Sequence, residues 1–136
     1  MNILFFLTPK AMCSHVEAGC TIRQAMERME NSGFSAMPVL DRDCHYLSVI
    51  TEGDILWTLK RLGITDWKQA EEYSISEVIP HKTVQAITVN TPVESLFRLA
   101  AGQNFVPVID DRGFFIGIVT RRRIMQYFIE KEFPAV

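Results

Sequence analysis

The chain of 136 residues has no membrane-length apolar run, no block of like charge and no paired-cysteine motif. Each absence closes off a class. A membrane-spanning helix needs about 20 apolar residues, whereas the opening run Ile3-Leu4-Phe5-Phe6-Leu7 stops at Thr8-Pro9-Lys10. That run also lacks the basic n-region and cleavage site of a secretion signal, so it is expected to pack as a strand or arm against the body or a second subunit. Lys and Arg number 14 against 16 Asp and Glu, a formal charge of −2. Nucleic acid or an anionic membrane calls for a basic face, so neither is expected as a partner. The one basic cluster, Arg121-Arg122-Arg123, is too short for a polybasic tract and long enough for one phosphate group. Cys13, Cys20 and Cys44 are odd in number and lack CxxC spacing, which reads as reduced thiols in a cytoplasmic protein.

What is present is a duplication. Pro38-Val39-Leu40-Asp41 recurs 69 residues later as Pro107-Val108-Ile109-Asp110. The same offset carries Gly33 onto Gly102, Tyr46 onto Phe115, the run Leu47 to Thr51 onto Ile116 to Thr120, and Ile55 onto Ile124. A repeat that preserves strand-like runs and the punctuation after them is one structural unit used twice. Two units of this size cannot each cover their own apolar face, so they are expected to pack together through their sheets and leave pseudo-symmetric clefts.

Hydrophobic periodicity gives the elements of each unit. In the first, Met12 to Val16 reads as a short strand, and Thr21 as the cap of a helix carrying Ile22, Ala25, Met26 and Met29, stopped by Gly33. Ala36 to Leu40 and Tyr46 to Thr51 read as strands around an Asp41-Arg42-Asp43 turn, and a helix starts near Glu52. The second unit repeats the order: strand Ala86 to Val89, a helix opened by Pro92, strands Val106 to Ile109 and Phe115 to Thr120, and a helix from Arg121 to Glu132. The division that follows is residues 1–62 as arm and first repeat, 63–83 as a linker with a short helix near Trp67 to Tyr73, and 84–136 as second repeat. The expected class is α+β, with two pseudo-symmetric β-α-β-β-α repeats.

The strongest chemical signal is Thr51-Glu52-Gly53-Asp54, where a strand ends and a helix begins. Free backbone N–H groups at a helix start favour an anion such as phosphate, and a carboxylate one turn in accepts hydrogen bonds from a vicinal diol such as ribose. The same spacing is that of a capping box with Asp in the Glu position. In the second unit Thr120 is followed by Arg121, Arg122 and Arg123, so Arg123 stands where Asp54 stands. An arginine accepts no hydrogen bond and engages phosphate bidentately instead. Three cations in a first turn oppose the helix dipole by about 0.3–1 kcal/mol each, which suggests an anion, although Asp110, Asp111 or Glu130 would also satisfy them. Cys13 with His15, and Cys44 with His45, lack third and fourth ligands at convincing spacing, so no metal site is expected. Ser14 and His15 point to opposite faces of a strand, and no nucleophile–base pair or Gly-rich phosphate loop is visible, so no enzyme is expected.

These elements, the strands Ala-Met-Pro-Val-Leu-Asp and Phe-Val-Pro-Val-Ile-Asp, and Val-Ile-Thr-Glu-Gly-Asp-Ile resemble the CBS domain, here as a tandem pair (a Bateman module) over roughly Lys10 to Lys131. The resemblance implies homodimers built through the helices and adenine nucleotides bound in two clefts, each drawn from both repeats. Carried onto this chain, one cleft would pair Thr51 and Asp54 with Val84, Ala86, Asn104, Phe105 and Val106. The other would pair Thr120, Arg121, Arg122 and Arg123 with Ser14, Val16, Ser35, Ala36 and Met37. The expected role is a regulatory sensor without catalytic activity, binding AMP, ADP or ATP and acting on a separate effector protein. Two alternatives stay open: a cyclic di-AMP receptor, which the Thr-Arg-Arg turn resembles, and a structural dimerisation module with empty clefts.

Overall fold

The computed structural model describes residues 1–135. The chain opens with a single helical turn, α1 (Ile3–Phe6), the two-residue strand β1 (Thr8–Pro9) and a 3-10 turn at Lys10–Met12. There follow β2 (Val16–Glu17), α2 (Ile22–Ser32), β3 (Ala36–Leu40), β4 (Tyr46–Thr51), α3 (Glu52–Leu62), α4 (Trp67–Ala70) and a second 3-10 turn at Ile75–Glu77. The remainder is β5 (Ile87–Thr88), α5 (Val93–Gly102), β6 (Phe105–Ile109), β7 (Phe115–Thr120) and α6 (Arg121–Glu132). The β-α-β-β-α order therefore occurs twice. The chain divides into one unit spanning Ser14–Thr83 and a second assembled from residues 1–13 and residues 84 onward.

In the first unit β2 pairs parallel to β3, and β3 antiparallel to β4, in the order β2-β3-β4. Thr21 starts α2 by accepting from the Gln24 N–H at 3.1 Å, while the Thr21 N–H donates to Gln24 Oε1 at 2.9 Å. This is a reciprocal capping box. Gly33 ends the helix in the left-handed conformation. Ile22, Ala25 and Met29 of α2 are buried against Met37, Val39 and Ile50 of the sheet and Ile55 of α3. The expected strand from Met12 is shorter than its sequence pattern: the Cys13 N–H turns back to the Lys10 carbonyl, and pairing with β3 covers only Val16 and Glu17 before Gly19 at φ +93° breaks it.

Residues 63–83 are not a loose connection but part of this unit. The Ile22 N–H donates to the Tyr73 carbonyl and the Ile75 N–H to the Cys20 carbonyl, both at 2.9 Å. Ala70, Ile75 and Val78 belong to its apolar core. Arg23 adds an ion pair to Glu71.

In the second unit the sheet order is β1-β7-β6-β5, so the amino-terminal arm supplies an edge strand. The arm, grouped with the first repeat by its place in the sequence, docks on the second. Ile3 and Phe6, 0% and 1% exposed, join Leu96, Val106, Val108, Val119 and Ile124 in that core. Phe6 meets Phe97 and Tyr127 edge to face, with ring centroids 5.6 and 5.5 Å apart. The strand expected at Ala86 to Val89 pairs only at Ile87 and Thr88, because the chain turns immediately, with the Thr91 N–H donating to the Thr88 carbonyl.

Candidate functional site

The two repeats build the same corner from the same register. In the first, Ala36 faces Thr51 across β3 and β4, and the Glu52 N–H donates to the Ser35 carbonyl at 2.9 Å. In the second, Phe105 faces Thr120 across β6 and β7, and the Arg121 N–H donates to the Asn104 carbonyl at 2.9 Å. Each threonine then caps the following helix, accepting from the N–H of Asp54 or Arg123 at 3.0 Å. Strand end, threonine and helix start are thus held alike, and what differs is the side chain one turn in.

Asp54 is 5% exposed, one of two buried polar residues among the described residues. Its Oδ2 accepts from the Thr51 N–H at 3.2 Å, which completes a capping box. Its Oδ1 accepts from the His81 N–H at 3.0 Å and lies 3.4 Å from His81 Nδ1. One oxygen serves the helix cap, and the other is held by the segment around His81. A buried carboxylate needs such partners, since an unpaired one costs several kcal/mol of desolvation. His81 was not marked by the sequence. Nothing local announces it, because its partner lies 27 residues back.

In the second corner the arginines divide their tasks. Arg121 Nε donates to the Ala100 carbonyl at 2.8 Å, holding the end of α5. Arg123 lies over the rings of Phe5 and Phe6, 5.1 and 5.7 Å from their centroids, and reaches the Phe5 carbonyl. Arg122 is exposed, and among the described residues it has no hydrogen-bond or ion-pair partner. Asp110, Asp111 and Glu130 do not pair with any of the three among the described residues. The charge that the sequence placed near an anion is therefore committed to the fold at Arg121 and Arg123 and open at Arg122.

The other candidate residues fall on both units. Ser14, Val16, Ser35, Ala36 and Met37 lie in the first, and Val84, Ala86, Asn104, Phe105 and Val106 in the second. Val16, Met37, Phe105 and Val106 are buried in their cores, which leaves Ser14, Ser35, Ala36, Val84, Ala86 and Asn104 nearer the surface. A groove of about 890 Å³ in the first unit is lined by Ser14, Val16, Gln24, Arg28 and Asn31 among others. Asp41, Asp43 and His45 bring potential ligand atoms within 4.8 Å of one another. The Asp41 carboxylate, however, is spent on the turn: it accepts from the Asp43 and His45 N–H groups and meets His45 Nδ1, each at 2.9 Å. The His45 N–H is the main reason its carboxyl titrates below the ordinary value, burial opposing and the imidazole and Asp43 N–H adding to it. Burial raises the thiols of Cys13 and Cys20, so both sit in their protonated, weakly nucleophilic form. Arg28 draws Cys20 back down to a lesser degree.

A paired repeat of this order, with a threonine-capped helix after the last strand of each copy, is the architecture of tandem CBS domains. The CBS domain family model matches residues 13–61 and again residues 75–130, and the chain belongs to that family. It is 24% identical over 121 residues to the cyclic di-AMP receptor B of Bacillus subtilis (strain 168), covering 89% of this chain and 82% of that one. The crystal structure of the Listeria monocytogenes CbpB protein in complex with c-di-AMP superposes with a TM-score of 0.82 at 24% identity, over 96% of each chain. CBSX2 in complex with AMP gives a TM-score of 0.76 at 20% identity, over 96% of this chain and 98% of that one. At these identities the likeness establishes a shared fold.

Proposed function

We propose that this chain is a regulatory module that binds an adenine nucleotide and has no catalytic activity of its own. The observation that carries the proposal is the pair of matched corners with unlike side chains: the buried carboxylate of Asp54 in one, and in the other Arg123 at the same place with the exposed Arg122 beside it. A carboxylate at that place accepts the hydrogens of a ribose diol, and a guanidinium there meets phosphate. The relatives support the class, since one is named a cyclic di-AMP receptor and others are held with c-di-AMP or AMP. In this reading Thr51 and Asp54 work with Val84, Ala86, Asn104, Phe105 and Val106, and Thr120 and the arginines with Ser14, Val16, Ser35, Ala36 and Met37.

Cyclic di-AMP is the favoured ligand on the arginine side, because two phosphodiesters suit a cationic corner that has no acceptor for ribose. AMP, ADP or ATP suit the Asp54 side. Response to the ligand is a population shift driven by its differential affinity for two states of the chain. The state is read by a separate effector protein in the cytoplasm. Exposed Leu56 and Trp57 on α3 and Met125 and Ile129 on α6 support a homodimer through these helices. Among the described residues no helix is long and apolar enough to cross a membrane.

Calorimetric titration with cyclic di-AMP, AMP, ADP, ATP and S-adenosylmethionine tests the reading. The expected result is saturable binding of at least one, weakened at least tenfold by Asp54→Ala or by Arg122→Ala. No binding of any of them would reject it in favour of a purely structural dimerisation module.

A further inference from the structure

The Asp54 carboxylate is already occupied. A carboxylate offers about four lone-pair sites, and one on each oxygen is taken by a backbone N–H, that of Thr51 on Oδ2 and that of His81 on Oδ1, with His81 Nδ1 3.4 Å from the same Oδ1. The carboxylate itself is 5% exposed, whereas the His81 side chain lying against it is 70% exposed. His81 is therefore the outer of the two, held by Asp54 and otherwise open to water. It follows Pro80 in a stretch without helix or strand between the turn at Ile75–Glu77 and β5. Such a stretch moves at lower cost than a ladder of backbone hydrogen bonds.

Nucleotide recognition by Asp54 rests on the function proposed above, and it makes a demand that this arrangement does not meet. A ribose diol brings two hydrogens to the acceptor, and here each oxygen already holds a backbone N–H while the side chain is only 5% exposed behind His81. We infer that His81 is an affinity-setting residue: an internal stand-in for the ligand's diol, which holds Asp54 closed in the free protein and is displaced when a nucleotide binds. The backbone N–H of His81 and its ring both compete with the ligand for Oδ1. The second corner has no counterpart of this competition, since Arg123 offers no acceptor for a ribose hydroxyl. The latch thus acts on one half of the molecule only, and it favours ligands whose sugar hydroxyls compete well over those that bring phosphate alone.

The test is made on the full chain, with cyclic di-AMP and AMP as probes. His81→Ala removes the ring and keeps the backbone N–H, and an exposed side chain is removed without disturbing a core. In calorimetric titration the variant is expected to bind whichever nucleotide uses Asp54 about two- to fivefold more tightly than the wild type, the worth of one exposed polar contact. In parallel, amide hydrogen exchange by NMR follows the His81 N–H. It is expected to be protected in the free protein and to exchange faster once the nucleotide saturates. If His81→Ala binds with wild-type affinity, or if the amide stays equally protected in the complex, the latch is overturned while nucleotide binding stands. If neither protein binds either probe, nucleotide binding at Asp54 is overturned and the latch falls with it.

Discussion

Phe6 and Ile75 stand 69 residues apart, the spacing of the repeat, and each is buried among the strands of the repeat from which it is separated in sequence by the other repeat or by the linker. Phe6 precedes the first repeat yet packs with Val106 and Val119 of the second, and Ile75 leads into the second yet packs with Val39 and Ile50 of the first. Truncating either side chain leaves a cavity. Phe6→Ala is expected to cost about 3–5 kcal/mol and Ile75→Ala about 2–5 kcal/mol, read as a lower urea midpoint at unchanged slope.

Gly117 is where the arm meets β7. Pro9 lies opposite it, and a Cβ there would run into the Thr8 carbonyl oxygen, with Leu7 Cδ1 at 2.9 Å and the Pro9 Cα at 3.1 Å. Backbone on one side leaves no room to yield. Gly117→Ala is expected to part β1 from β7, giving faster amide exchange at Ile118 and loss of the Arg123 contact with the Phe5 ring. Undiminished protection would show that the edge strand holds without the close approach.

Cys44 and Gly113 occupy the same point of the two hairpin turns, at φ +71° and +87°. A residue with a Cβ pays about 1–2 kcal/mol in the left-handed region. Cys44→Gly is therefore expected to stabilise the chain by about 1 kcal/mol, after the greater chain entropy of glycine is deducted, and Gly113→Ala to destabilise it by a similar amount. Thermal or urea unfolding gives both signs.

Asp41 titrates below the ordinary Asp value of 3.8, chiefly through the His45 N–H, because the native turn favours its charged form. Its contribution is thus fully present above that value and is lost as pH falls through the lower, folded-state value. Asp41→Asn is expected to flatten the pH dependence of unfolding in this acid window and leave it unaltered near neutrality. Tyr46, pushed up to about 12 by burial, keeps its phenol neutral throughout and adds nothing to that profile.

The repeat was legible because strands, turns and caps are local. The register shift between Val39 and Leu40 recurs between Val108 and Ile109, and the Asp41 turn recurs at Asp110, whose Oδ1 accepts from the Arg112 and Phe114 N–H groups. Thr21 and Gly33 bracket α2 as their residue types require. Asp54 and the arginines stood out in sequence for the same reason. What was hidden depends on distant partners. Arg123 stood out as a phosphate ligand, but its contact with the faces of Phe5 and Phe6 was not readable. The expectation of an arm was right in kind, but its host was not readable from apolar character alone. One clue was present: the first repeat has Ser48 where the second has Gly117, and only a residue without a side chain admits a crossing strand.

The docking of the arm also orders events during synthesis. Residues 14–83 form a continuous stretch with every core member already in hand, so this half is able to mature while translation continues. The other half joins segments far apart in the chain, with Arg123 and Phe5 separated by 118 positions. Until α6 has left the ribosome, Ile3 and Phe6 lack part of the core that covers them, and the nascent chain carries their apolar side chains unburied.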